Sequence, residues 1–293
     1  MSHPPYVLIT PAHNEEAFVE KVIQSVISQT VLPEKWVIVS DRSTDKTDEI
    51  VQRYAKDYRF IQLARIQEKR KQNFGAKANA FKVGYDSIGP VQYDFIGNLD
   101  ADVSFEPTYF QNILTHFLEN TRLGIAGGII QELINGHYVC QNISLNSVAG
   151  AIQLFRKACY EKIGGYIPME YGGIDAAAEI LARAYGWEVR TFPQYKVLHH
   201  RRVTTGKRNI VSTRFYQGVT NYLLGYSPLF HILRSFFRIM QQPILIGCVA
   251  SIAGYYSAYF QRRERKLPDN AIRFLRSEQR DRLKSYFKRG QRL

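Results

Sequence analysis

The sequence predicts an α/β fold: a mostly parallel sheet with helices on both faces, followed by C-terminal amphipathic and apolar helices. Three features lead there. The first 130 or so residues alternate short apolar runs with segments whose apolar residues recur every four positions. Polar clusters follow several of the runs, as loops follow the strands of a parallel sheet. Beyond Gly225 the composition turns apolar, then strongly basic.

Tyr6–Thr10 reads as a buried strand, leading into Pro11-Ala12-His13-Asn14-Glu15-Glu16. A helix follows, with Phe18, Val22 and Val26 beside Val19, Ile23 and Ile27. Trp36–Val39 is the second strand and runs into Ser40-Asp41-Arg42-Ser43-Thr44-Asp45, where Thr44 or Asp45 can cap a helix carrying Ile50, Val51 and Tyr54. Phe60–Leu63 is a third strand. Asn73–Asn79 opens another helix, and Tyr93–Leu99 is a strand ending at Asp100-Ala101-Asp102. Residues 123–200 are less regular. Ala151–Phe155, Trp187–Phe192 and Lys196–His199 read as strands, Arg156–Tyr160 as a short helix, and Asp175–Tyr185 as a helix stopped by Gly186.

The chain has 293 residues and is 45% hydrophobic, enough for one large domain with an appendage. Cys140, Cys159 and Cys248 have no metal-ligand spacing and are too few for a disulfide scaffold, which suits a reducing compartment. No basic region precedes Tyr6, so no signal peptide is expected. The net charge of +13 calls for an anionic partner: nucleic acid, a phosphorylated small molecule or anionic lipid. Residues 262–293 hold 12 Lys/Arg and 4 Asp/Glu, so +8 sits in the tail and +5 in the remainder.

Asp100 and Asp102 form an acidic hook at a strand end. Strand alternation turns residues i and i+2 to one side, where both carboxylates reach one hard cation, and such a cation clamps a diphosphate. A solvated turn is the alternative. The hook, the His-Asn-Glu turn and the Ser-Asp turn all fall at carboxyl ends of strands, where sheets of this kind bind ligands.

Several segments in order resemble the inverting family 2 glycosyltransferases of the GT-A fold. They are Ile9–Glu16, Val39–Asp45, Asn73-x-Gly75-x-Lys77-x-Asn79, Leu99–Asp102, Gly172–Asp175 and Val197–His200. The resemblance spans about residues 6–202 and is of the polysaccharide or glycolipid type. It implies transfer of a sugar from a UDP-, GDP- or dTDP-sugar to a hydroxyl acceptor with inversion. Pro11, His13, Glu15 and Asp41 would hold the nucleoside, Lys77 would approach the nucleotide or its phosphates, and Asp100 and Asp102 would hold Mg²⁺ or Mn²⁺. Asp41 as a turn residue and Lys77 as a solvated lysine are the alternatives. Ser40 and Arg42 depart from the family's common Asp-Asp-Gly-Ser pattern, which bears on base recognition.

Asp175 aligns with the family's general base, which takes the acceptor proton, although Ile174 stands where the family has Glu. A helix cap is the alternative. Gly172-Gly173 would leave room for an acceptor. His199 or His200 would assist metal or diphosphate, with His199 favoured because it shares a strand face with Val197. Arg201 and Arg202 open a basic loop reaching Lys207 and Arg208 that would stabilise the leaving diphosphate.

The expected division is a catalytic domain at 1–225 and a membrane-associating helical region at 226–293. Leu229, Ile232, Leu233, Phe236, Phe237 and Met240 form an apolar stripe beside Arg234 and Arg238, and residues 244–260 are uncharged. A helix of that length is marginal for spanning a bilayer. Basic residues on both sides favour interfacial or re-entrant helices at the cytoplasmic face over a span, with a glycan or lipid-linked acceptor. Packing on protein or at a dimer interface is the alternative. Three further functions are weaker. A nucleotidyltransferase would carry a Gly-rich basic loop after strand 1. Nucleic-acid binding is disfavoured because the basic excess lies beside an apolar run rather than among stacking aromatics. A non-catalytic scaffold would have no use for the carboxylates.

Overall fold

A computed structural model describes residues 3–67, 75–134, 137–141, 144–201, 210–237 and 245–290. Asn73, Arg202, Lys207, Arg208, Arg238, Met240 and Ile244 lie outside the described residues.

The elements run β1 (Tyr6–Ala12), α1 (Val19–Ile27), β2 (Lys35–Asp41), α2 (Thr47–Asp57), β3 (Ile61–Ile66), α3 (Gly75–Asp86), β4 (Phe95–Leu99) and β5 (Val103–Phe105). Next come α4 (Tyr109–Glu119), β6 (Leu123–Ile134), β7 (His137–Cys140), β8 (Ile152–Arg156), α5 (Lys157–Ile163), α6 (Ile174–Ala184) and β9 (Glu188–His199). The last helices are α7 (Ile210–Leu223), α8 (Pro228–Phe237), α9 (Ile246–Phe260) and α10 (Asp269–Gly290).

All the strands form one sheet in the order β3-β2-β1-β4-β8-β6-β9-β5, with β7 paired to β6. The β3-β2-β1-β4 half is parallel, as the strand–helix alternation predicts. β8 then runs against both β4 and β6, β9 runs with β6, and β5 runs against β9. The sheet is therefore mixed, and its direction first changes beside the acidic hook. Strand alternation feeds both faces. Tyr6, Leu8, Trp36 and Ile38 join the core built with α1 and α4, while Ile9 and Val39 turn to α3. There α3 presents Gly84, where any Cβ would strike Ile9.

Five elements were not read as such in the sequence: β5, α4, β6, β7 and α7. β9 is continuous where two strands were expected, with a register shift opposite Gly128/Ile129.

The chain forms two compact units: residues 1–168 with 174–203, and residues 169–173 with 204–293. The division thus falls near 203 rather than at 225, and α7 belongs to the second unit. Glycines explain why. A methyl on Gly218 would collide with the Ser251 carbonyl and one on Gly254 with the Phe215 carbonyl, so α7 and α9 pack backbone to backbone.

Candidate functional site

The site starts from strand register. The carboxyl ends of β1, β2 and β4 lie side by side, with Ala12 opposite Ser40 and Ile9 opposite Asn98. The turns after β1 and β2 are stitched together. The Asn14 side chain accepts from the Thr44 N–H at 2.8 Å, the Glu15 N–H donates to the Thr47 hydroxyl at 2.7 Å, and His13 Nδ1 lies 2.5 Å from the Asp41 carbonyl. Asp45 accepts from the Thr47 N–H at 3.0 Å just ahead of α2, but the N-cap position itself is Lys46 and carries no side-chain capping bond, so neither Thr44 nor Asp45 is the expected cap. Pro11, next to last in β1, pairs with Val39 of β2 and lies beyond the last β1–β4 pair at Ile9, so on the β4 side no strand needs its missing N–H.

Arg42 takes a left-handed backbone, φ 57°. The family's glycine at this position is explained by that conformation. The Arg42 side chain folds back on Asp41, with Nε 2.8 Å and Nη2 3.2 Å from its two oxygens. Asp41 is therefore an ion-paired carboxylate at the mouth of β2.

The hook is a turn between β4 and β5 rather than the end of a strand. β5 pairs with β9 so that Val103 faces His199, and the His200 N–H donates to the Asp102 carbonyl at 2.9 Å. This register settles which histidine joins the carboxylates. Asp100, Asp102 and His199 offer ligand atoms all within 4.8 Å of one another. His200 was expected to share in metal binding, but its ring turns to the other face. There it lies 2.8 Å from the Ser104 hydroxyl and stacks on Phe18.

Three basic groups surround the hook. His199 Nε2 is 3.4 Å from Asp102, and Arg201 lies 3.8 Å from Asp102 and 2.5 Å from Glu15. Lys77 on α3 is 2.5 Å from Asp100 and donates to the Gly150 carbonyl at 3.1 Å. Burial alone would raise the Asp102 carboxyl, but His199, Arg201 and Lys77 together hold it below the ordinary range. Burial would lower His199, and Asp102 more than offsets this, so the imidazole is raised. Glu15, 9% exposed, is pushed up to about 7 by burial, with Asp102 and Asp100 adding to the effect against Arg201. Glu15 thus faces the hook's charges. Arg202 lies outside the described residues.

Asp175 sits in the first turn of α6 and packs on Gly150, where an added Cβ would lie 3.0 Å from its side chain. The Gly150 segment also touches the hook: the Asp100 N–H donates to the Ala151 carbonyl at 2.9 Å. The loop before β8 thus links the expected base to the acidic hook. Gly172 and Gly173 have φ of 97° and 93°, so their glycine identity is a backbone requirement.

Sequence reasoning missed Glu179, one turn beyond Asp175. It is 5% exposed and accepts from the Val148 N–H at 2.7 Å, the Ser147 hydroxyl at 2.9 Å and the Gln153 amide at 3.3 Å. The Tyr166 hydroxyl in turn donates to Gln153 at 2.6 Å. A carboxylate among the alanines and leucines of an otherwise apolar helical stripe was the available signal. Burial, then the nearby Asp175, pushes Glu179 up to about 7. A group raised in the fold stabilises below its unfolded value near 4.5, and that contribution is lost as pH rises through about 7. Glu15 acts in the same sense. Metal-free protein should therefore melt lower at about pH 8 than at about pH 5, and Glu179→Gln should narrow the gap in thermal melts. An unchanged gap would refute this assignment.

The glycosyl transferase family 2 model matches residues 7–157, over half of the chain. The chain belongs to glycosyl transferase family 2. It is 25% identical over 201 residues to a poly-beta-1,6-N-acetyl-D-glucosamine synthase of Staphylococcus epidermidis, covering 61% of this chain and 44% of that one. The chain thus spans less than half the length of this curated relative. Two solved structures share the fold. The mannosyltransferase PcManGT of Pyrobaculum calidifontis, solved with GDP-Man and Mn²⁺, gives a TM-score of 0.57 at 15% identity, covering 89% of this chain and 76% of that one. S. aureus TarS 1–349 with UDP-GlcNAc gives 0.56 at 14% identity, covering 88% and 73%. The GT-A fold expected of this family 2 chain is therefore the fold it has.

Proposed function

We propose that this family 2 chain transfers a sugar from a nucleoside diphosphate sugar to a hydroxyl acceptor, with inversion and dependent on a divalent cation. The observation that carries the reading is the grouping of Asp100, Asp102 and His199 beside the loop that contacts Asp175. Two carboxylates and one imidazole suit Mn²⁺ and, with added waters, Mg²⁺. Asp100, Asp102 and His199 would hold the ion, which would supply positive charge at the diphosphate.

In the proposed mechanism Asp175 accepts the acceptor hydroxyl's proton as that oxygen bonds to the anomeric carbon. The bond from that carbon to the diphosphate oxygen breaks, and its electron pair leaves with the nucleoside diphosphate. A single in-line displacement inverts the configuration. Lys77 and Arg201, on either side of the hook, are placed to meet the departing charge. Chelation with EDTA should abolish release of nucleoside diphosphate from a UDP-, GDP- or dTDP-sugar, and Mn²⁺ should restore it. Full turnover in EDTA would overturn the metal-dependent reading.

The second unit is read as lying on the cytoplasmic face of a membrane, near a glycan or lipid-linked acceptor. No helix among the described residues is long and apolar enough to cross a membrane. The faces of α8 and α9 support surface contact. On α8 the polar His231 and Ser235 are buried, while Leu229, Phe236 and Phe237 are 61, 55 and 73% exposed. On α9, Ile246, Val249 and Phe260 are 58, 65 and 76% exposed. Apolar residues outward and polar residues inward suit lipid, and the tail's +8 suits an anionic surface. Leu229→Glu with Phe236→Glu should shift the protein out of pellets of anionic vesicles, read by co-sedimentation. Undiminished pelleting would count against lipid contact.

A further inference from the structure

Inside the second unit, α7, α8 and α9 wall a small open recess of about 30 Å³, room for one compact polar group. Among the described residues its lining includes Arg214, Gln217, Arg234, Ser235 and Cys248, and no carboxylate. Gln217 Oε1 accepts from Arg214 at 3.2 Å, which orients that guanidinium and leaves the Gln217 amide N–H groups as donors. Arg234 lies over the Tyr226 ring at 5.5 Å and makes no ion pair among the described residues. Ser235 is 7% exposed, and its hydroxyl bonds to no described residue.

The recess also holds His231, which contributes no charge. Its Nε2 is 3.2 Å from the Ser251 carbonyl and its Nδ1 is 3.3 Å from the Asn221 amide, so the ring donates on one side and accepts on the other. Burial, assisted by Arg234, pushes its pKa down to about 4. The positive charge at the recess therefore comes from two arginines, beside a hydroxyl and an amide that can donate. The half-buried Arg234 guanidinium, with no ion pair among the described residues, is costly unless an anion completes it, and its planar fork matches phosphate oxygens. α8 and α9, which wall the recess with polar groups, carry exposed apolar residues on their outer sides.

We propose that this recess binds a phosphate group carried on a lipid, with Arg234 and Ser235 as principal contacts and Arg214 as the second cation. The phosphate meets the inward polar groups, and its acyl or prenyl chains lie along the outward apolar residues. The lipid part of the inference rests on the membrane-facing reading of the same helices; the anion part does not.

The experiment uses the full chain and dihexanoyl phosphatidic acid below its micellar concentration, with inorganic phosphate and dihexanoyl phosphatidylcholine as comparisons, read by calorimetry. Phosphatidic acid should bind at least about tenfold more tightly than inorganic phosphate, and Arg234→Gln with Ser235→Ala should weaken it by about tenfold or more. Arg280→Gln, which removes one charge from exposed α10, is the control for general electrostatics and should change binding little. A thermal melt matched to the parent shows that the double variant is folded. If that variant fails to fold, Ser235→Ala alone carries the test and should still weaken binding.

No binding of phosphatidic acid, equal loss in the Arg280 control, or undiminished binding in the recess variant would overturn the proposal. Inorganic phosphate binding as tightly would replace it with a site for free phosphate. Short-chain binding without vesicle pelleting would sink the membrane reading alone. Pelleting without short-chain binding would sink this one alone.

Discussion

Asp175→Asn should lower the rate of sugar transfer by roughly 10²–10⁴-fold, the contribution of a positioned general base. The amide keeps the shape and the helix-start position but cannot take a proton. Asp175 sits in the first turn of α6 against Gly150, so the substitution disturbs little packing. The loss should therefore fall on kcat, with donor affinity and melting temperature close to the parent's. Steady-state kinetics with the donor varied, beside a thermal melt, separates the outcomes. A variant with parental kcat would remove Asp175 from the chemistry. A lower melting temperature with a proportionate loss of activity would make it a structural cap.

Asp102→Asn should cost roughly 10²–10³-fold, as loss of a buried charge aimed at the diphosphate does. Its side chain serves two groups, His199 at 3.4 Å and Arg201 at 3.8 Å, and both lose a counter-charge. This gives the variant a pH signature. In the metal-free protein Asp102 is depressed, so its contribution to stability is present above the ordinary 3.8 and lost as pH falls through its folded value. His199 is raised, so its contribution is complete below the ordinary 6.5 and lost as pH rises through its folded value. The pair stabilises most between these limits, and the variant should lose most stability there. Metal binding displaces the imidazole proton, so Mn²⁺ affinity should rise with pH through the His199 titration. Calorimetric titration of parent and variant with Mn²⁺ across that range checks it. Equal affinities would exclude Asp102 as a ligand.

The parallel half of the fold was legible because each strand carries a short run rich in apolar residues, separated from the next by a helical segment. β6 was not, because Gly124, Gly127 and Gly128 interrupt it. Each glycine is there for close approach: a Cβ on Gly127 would meet the Ile152 carbonyl and one on Gly128 the Tyr195 carbonyl. Glycines that permit tight packing in three dimensions resemble a loop in one. α4 had a readable stripe of Tyr109, Phe110, Ile113, Leu114 and Phe117, and it was overlooked beside the hook. In the site, residue spacing pointed to Asp100 and Asp102, and the family resemblance to Lys77, which the structure pairs with Asp100. The choice between His199 and His200 depended on the pairing of β5 with β9, and alternation along β9 turned the second ring away. Glu179 carried a signal, a carboxylate in an apolar stripe, but what it does there was not legible. Its role lies in holding Ser147, Val148 and Gln153, partners about 30 residues away.

β8 runs against β4 with Leu99 opposite Ile152, so the chain enters β8 at the point where β4 releases the hook. The same ladder that fixes Asp100 and Asp102 fixes where the loop before β8 arrives. Residues inserted ahead of that anchor would lengthen the loop without shifting Asp100 or Asp102. Diversification is thereby decoupled. Under the function proposed above, such a scaffold can vary its acceptor side through one loop while its donor side stays unaltered.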